Sequence, residues 1–190
     1  MNVYPIEAGN FKLDGGAMFG VVPKSLWAKT NPADADNMID MSSRCLLFEN
    51  SDKLILVDTG MGDKQSEKFF KYYKRWGNDN LVKSINTAGF SVDDVTDVLL
   101  THLHFDHCGG AVVWDSSKET YDVLFKNANY WSNENHWDWA TNPNPREKAS
   151  FLDENLFPIK ESGQLKFISN MSKGFNYCEE LGLEILCVDG

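Results

Sequence analysis

Three of the chain's four histidines lie within six positions, in the string Thr101-His102-Leu103-His104-Phe105-Asp106-His107-Cys108-Gly109-Gly110, directly after the apolar run Val98-Leu99-Leu100. Residues two apart on an extended segment project to the same side. His102 and His104 can therefore converge on one ion. Phe105 can face inward as an anchor, while the turn after it swings Asp106 and His107 towards a second, adjacent ion. Gly109 and Gly110 permit the tight backbone that such closely spaced ligands need, and a helix can start just beyond them. Imidazole with carboxylate favours zinc, or iron and manganese, over calcium and magnesium. Four potential ligands at the carboxyl end of a strand predict a metal site rather than a solvated polar strand end.

The flanking sequence reads as an α/β layered domain. Arg44 to Phe48 and Lys53 to Val57 are short apolar runs separated by the polar turn Glu49-Asn50-Ser51-Asp52, and both suit strands covered on each face. The first forty residues read as turn-rich. In Lys64 to Trp76, the residues Phe69, Tyr72, Tyr73 and Trp76 form one helical stripe, with Asp63 as N-cap and Gly77 as the residue past the end. A second helix is expected from Leu81 to Ala88, and Ser91 to Asp94 reads as a cap plus a first turn. Val98 to Thr101 is a buried strand. Strand, helix, helix, strand is the order of a layered α/β fold. Beyond the histidines, Asn129 to Ala140 and Arg146 to Leu156 read as helices, and Leu165 to Ser169 and Leu183 to Val188 as strands.

Composition narrows the class. A chain of 190 residues is the size of one domain, with enough core to dispense with disulfides. With 28 acidic against 18 basic side chains, the net charge of −10 disfavours nucleic acid, whose phosphates need a concentrated cationic face. No apolar run approaches the length of a membrane span, and the first residues lack the basic and apolar regions of a secretory leader. The expected compartment is cytoplasmic. Cys45, Cys108, Cys178 and Cys187 form no C-x-x-C pair and read as reduced, mostly buried thiols. Asn170-Met171-Ser172 matches a glycosylation acceptor, which carries no weight without a secretory route.

The string from Thr101 to Gly110 resembles the H-x-H-x-D-H signature of the metallo-β-lactamase fold. Leu54-Ile55-Leu56-Val57-Asp58-Thr59-Gly60 is similar to that family's first motif. The FDHCGG version and the segment Gly15 to Pro23 look most like the quorum-quenching acyl-homoserine lactonases and the related methyl-parathion hydrolases. The resemblance implies the N-terminal part of an αββα sandwich, a mixed sheet with flanking helices. It assigns His102 and His104 to a first divalent ion and Asp106 and His107 to a second, zinc ahead of manganese or iron, with Asp58 steadying the site. It further implies a metal-bound hydroxide that opens a lactone or cleaves a small ester, with Asp106 as the proton carrier. Met18, Phe19 and Trp131 would line an apolar substrate pocket. The family pattern calls for three more ligands, the first usually in a Gly-His-Thr turn, whereas this sequence stops at Val188-Asp189-Gly190. The expectation is a single domain over residues 1–190 that is incomplete at its C-terminal end and weak or inactive alone.

Other readings are fewer. An aryl phosphotriesterase or thioesterase of the same fold is the enzyme alternative, and a non-catalytic interaction fragment with an incomplete metal site is the contrasting class. Family members often dimerise, so the resemblance allows a homodimer; neither membrane nor nucleic acid is an expected partner. His136 reads as a surface or satisfied histidine, and most of the tryptophans as core. Gly60-Met61-Gly62-Asp63-Lys64 matches no nucleotide-binding loop and reads as an easy exit from the strand bearing Asp58. Cys108 is a weak candidate nucleophile, and Lys68 to Arg75 reads as a solvated helix face.

Overall fold

A computed structural model describes residues 2–168 and 173–188. Strand β1 (Val3–Asp14) pairs antiparallel with β2 (Met38–Asn50), and two short helices, α1 (Gly15–Phe19) and α2 (Lys24–Trp27), occupy the connection. A turn at Ser51 and Asp52 leads into β3 (Lys53–Val57), which sets Leu46 opposite Val57 and Asn50 opposite Lys53. Helices α3 (Glu67–Tyr73) and α4 (Leu81–Thr87) then cross to β4 (Asp97–Leu99). The helical turn α5 (Phe105–Cys108) and the hairpin of β5 (Val112–Trp114) and β6 (Tyr121–Val123) precede β7 (Asn129–Ser132). Helices α6 (Glu134–Thr141) and α7 (Asp153–Glu161) connect to β8 (Leu165–Phe167), and a hairpin of β9 (Gly174–Cys178) and β10 (Leu183–Cys187) follows. The main sheet runs β1-β2-β3-β4-β7-β8, antiparallel across its first three strands and parallel from β3 onward.

The apolar strands are covered on both faces, as their composition predicts, and they divide by strict alternation. Leu54, Leu56, Val98, Leu100 and Tyr130 point to one side, where they pack with Leu81 and Ile85 of α4, Trp137 of α6 and Leu156 and Ile159 of α7. Ile55 and Trp131 point to the other side and pack with Phe48, Ile168, Cys178 and Leu181 beside the β9–β10 hairpin. Each fully buried aliphatic side chain in these clusters is worth roughly 1.5–3 kcal/mol. The four cysteines are free, and three are buried. No helix among the described residues is long and apolar enough to cross a membrane.

The structure corrects the sequence reading in several elements. The first forty residues hold a twelve-residue strand rather than a run of turns. Its register shifts between Glu7 and Asn10, so Ile6 and Phe11 both face inward five positions apart and no period of two survives. The Lys64–Trp76 helix is shorter at both ends. Ser66, not Asp63, is its N-cap and accepts the Phe69 N–H, while Lys74, not Gly77, ends it in the left-handed region. Phe69 and Tyr73 pack on Phe105, whereas Tyr72 is exposed and the Trp76 N–H bonds the Asn10 carbonyl. Asn129 to Ala140 is a strand and then a helix, because the parallel pairing of β7 with β4 claims Asn129–Trp131 and Asn133 caps α6. The Arg146–Leu156 helix is replaced by a 3-10 turn at Lys148–Ser150 and by α7, whose first turn carries Asp153 and Glu154 at the favourable dipole end. A strand, β5, follows the glycine pair where a helix was expected.

The helix from Leu81, the capped turn at Ser91–Asp94 and the β3, β8 and β10 strands stand close to their reading, while the Val98–Thr101 strand lies earlier, as β4, and ends at Leu99. Strand β9 carries no reading from sequence. Ser169, the Asn170-Met171-Ser172 acceptor and Asp189-Gly190 lie outside the described residues.

Candidate metal centre

The candidate ligands gather at the carboxyl ends of the parallel strands, where open α/β sheets place their sites. Strand β3 ends at Val57 and Asp58 leaves it with a φ of +58°, a left-handed conformation costly for a residue other than glycine. Strand β4 ends at Leu99, and the chain runs on through Thr101 and the histidines to α5, whose N-cap is His104. The two exits are bonded together: the Thr59 N–H and hydroxyl both donate to the His107 carbonyl, at 2.8 and 2.9 Å, and the Gly110 N–H donates to the Gly60 carbonyl at 2.9 Å. Glycine is required where they touch. A Cβ on Gly109 would sit 2.2 Å from the Met61 carbonyl oxygen, and one on Gly110 would sit 2.1 Å from that of Thr59. Phe105 anchors α5 from below, buried with Phe11 and Met61 and edge-on to Phe69.

Asp58 organises two of the three clustered imidazoles. Its Oδ2 accepts from His107 Nδ1 at 2.8 Å, and its Oδ1 accepts the Thr101 N–H at 2.9 Å. The Thr101 hydroxyl has one proton and lies within 3.0 Å of both Asp58 oxygens, which can only accept. That proton therefore goes to Asp58, and the Thr101 oxygen accepts from His102 Nδ1 at 3.1 Å. This network puts a proton on Nδ1 of both His102 and His107 and leaves their Nε2 atoms outside it.

The three rings are crowded, with His102 centred 3.8 Å from His107 and 4.8 Å from His104. Burial first, and then the neighbouring His107 and His104, push the His102 pKa down to about 4. His104 is lowered too, chiefly by burial. Burial also acts to lower His107, but the Asp58 hydrogen bond and the Asp106 and Asp58 charges outweigh it and raise the value. Asp106 lies in the first turn of α5, its Oδ2 3.7 Å from His107 Nε2.

Three clustered imidazoles, two of them held through Nδ1, beside a carboxylate are donors for a borderline divalent cation, so the donor chemistry fits. Among the described residues, no group of three or more His, Cys, Asp or Glu side chains is arranged to hold an ion by itself.

The remaining predicted residues divide. Met18 is exposed on α1, and Phe19 stacks on Trp27 at 5.0 Å. Trp131 is not on a rim: β7 turns it into the core cluster beside the β9–β10 hairpin, where its indole N–H donates to the buried Asp97 at 2.7 Å. Cys108 is fully buried, bonds the Leu103 carbonyl through Sγ at 3.2 Å and is pushed up to about 12 by burial, so it is no nucleophile.

Two contacts of the site neighbourhood escape a sequence reading. His136 Nε2 accepts the Leu103 N–H at 2.9 Å, and buried Lys64 donates to the Gly109 carbonyl at 2.5 Å. Neither has a local signal, since the partners lie 33 and 45 positions away. Thr101 could have been found, because a hydroxyl directly before the first histidine is the nearest group able to reach its Nδ1.

A layered α/β domain with an imidazole–carboxylate segment at its strand ends defines a class of metal-site proteins. The profile of the Metallo-beta-lactamase superfamily matches residues 39–167, and the chain belongs to that superfamily. Among similar proteins, an N-acyl homoserine lactonase of Bacillus cereus is 31% identical over 84 residues, which make up 39% of this chain and 34% of that one. A probable metal-dependent hydrolase from Staphylococcus aureus superposes with a TM-score of 0.79 at 30% identity, covering 92% of this chain and 60% of that chain. A dizinc quorum-quenching lactonase, AidC, superposes with a TM-score of 0.64 at 25% identity, covering 96% and 65%. The chain thus spans less than two thirds of these relatives.

Proposed function

We propose that the protein is a metal-dependent hydrolase that opens a lactone or cleaves a small ester. In this reading His102 and His104 hold one divalent ion and Asp106 and His107 a second, with zinc the favoured metal; the dizinc lactonase neighbour and the lactonase relatives support it. The observation that carries it is the Asp58–Thr101 network, which holds His102 and His107 through Nδ1 and leaves Nε2 of each as the nitrogen that could meet a metal. Divalent metal, when bound, polarises a carbonyl oxygen and lowers the pKa of water. Asp58 holds the His107 ring in orientation, as carboxylates beside metal-binding histidines do. Asp106 is the carboxylate that would carry a proton on Oδ2 to the leaving alkoxide. Met18, exposed beside Phe19, offers apolar surface for an acyl chain.

The test is turnover by the zinc-loaded whole protein on a panel of acyl-homoserine lactones, aryl esters, thioesters and aryl phosphotriesters. Lactone or ester turnover that disappears in His104→Ala is expected. Turnover undiminished in His104→Ala, or confined to phosphotriesters, overturns the proposal.

A further inference from the structure

Past the end of β4, the backbone carrying His102 and His104 leaves the sheet ladder, and the last sheet bond here runs from the Leu100 N–H to the Trp131 carbonyl at 3.0 Å. Leu103, between the two histidines, is fully buried. A buried peptide N–H needs a partner, and this one finds an imidazole on another element: His136 Nε2 accepts it at 2.9 Å. The other end of the same residue is also held, because Cys108 Sγ bonds the Leu103 carbonyl at 3.2 Å.

His136 is itself fixed. Its N–H donates to Asn133 Oδ1, the N-cap of α6, and that helix is seated by buried Trp137 and Ala140. Its ring meets Phe151 edge-on at 5.9 Å, and Phe151 in turn lies 4.8 Å from the His104 ring. One histidine thus touches the ligand segment twice, through the backbone between the two ligands and through an aromatic relay to the second.

We propose that His136 is a positioning residue for the metal centre, locking the Leu103 peptide so that His102 and His104 are preset for one ion. The proposal rests on the metal reading above. Accepting through Nε2 requires the Nδ1–H tautomer, so His136 acts as a fixed acceptor rather than as a ligand. Sites that leave the supporting shell loose lose affinity although every ligand is present.

The test uses the whole protein and two variants, His136→Phe, which keeps the ring and removes the acceptor, and His136→Gln, whose amide oxygen can take the place of Nε2. The first readout is hydrogen exchange at the Leu103 amide in the metal-free protein, referenced to the core amide of Ile85. The second is Zn(II) affinity from chelator competition. His136→Phe is expected to speed Leu103 exchange at least about tenfold with Ile85 unchanged, and to weaken zinc binding by about tenfold or more. His136→Gln is expected to restore most of both. Leu103 exchange that ignores His136→Phe, or zinc affinity that ignores it, overturns the role of His136 while leaving the metal reading intact. Failure of the parent protein itself to take up zinc overturns the metal reading, and the positioning role with it.

Discussion

A buried ammonium with one hydrogen bond is an expensive group, and Lys64 lets that expense be measured. Only 5% of the residue is exposed, and burial holds its pKa down to about 8 from an ordinary 10.5, although the Glu154 charge pulls it upward. At about 1.4 kcal/mol for each tenfold change in proton affinity, keeping the charge inside destabilises the fold by about 3 kcal/mol at neutral pH. Because the folded pKa lies below the unfolded one, the unfolded chain binds more protons between about pH 8 and 10.5. Stability from this group therefore rises as pH climbs through that window. Cys45 and Cys108, both pushed up to about 12 by burial, act the other way above pH 9, where the folded chain keeps protons that the unfolded chain loses.

Lys64→Met removes the amine and leaves both thiols, so the difference between the two proteins isolates the lysine. In urea unfolding with a chelator present, the parent is expected to gain about 2.5 kcal/mol relative to Lys64→Met between pH 7 and pH 10. A difference that stays constant within about 0.5 kcal/mol, well inside the margin of paired denaturant curves, would refute the reasoning.

Three further perturbations probe the site and its supports. Gly110→Ala drives a methyl against the Thr59 carbonyl at 2.1 Å and should part the two strand exits; a loss of about 2 kcal/mol or more in unfolding free energy, with weakened zinc uptake, is expected. Asp58→Asn preserves shape and tolerates the left-handed backbone but removes the acceptor-only carboxylate. Zinc affinity by chelator competition should fall about 10- to 100-fold while the unfolding midpoint moves little. Ser66→Ala deletes the α3 cap and should cost about 1 kcal/mol in denaturant unfolding without changing zinc affinity.

What could be read from sequence follows from how local the physics is. The string of candidate ligands stands out because its four members fall within six residues, and Leu54 to Val57 because a run that is apolar on both faces has few uses other than a covered strand. Strand β1 was hidden by its register shift, which removes the alternation that would announce it. The segment Tyr130 to Ala140 is aromatic at spacings that suit a helix, but parallel pairing with β4 overrides that preference for its first residues and turns Trp131 into the core. Lys64 reads only as the start of the Lys64–Trp76 helix, because the carbonyl that holds it belongs to distant Gly109. His136 reads as a surface or satisfied histidine, and nothing near it in the chain tells that its partner is the backbone between two candidate ligands.

The division of the core by sheet face also sets an order of assembly. Among the described residues, every buried member of the helix-side cluster lies between Ile6 and Ile159, so that side can close once α7 has emerged from the ribosome. The opposite cluster needs Ile168, Cys178 and Leu181, which arrive later. During synthesis, Phe48, Ile55 and Trp131 therefore face solvent on β2, β3 and β7 before β8 and the hairpin arrive, an adhesive surface waiting for its cover. The nascent chain is most vulnerable to misassociation in that interval, and a translational pause that holds α7 outside the ribosome with the hairpin still inside should lengthen the exposure.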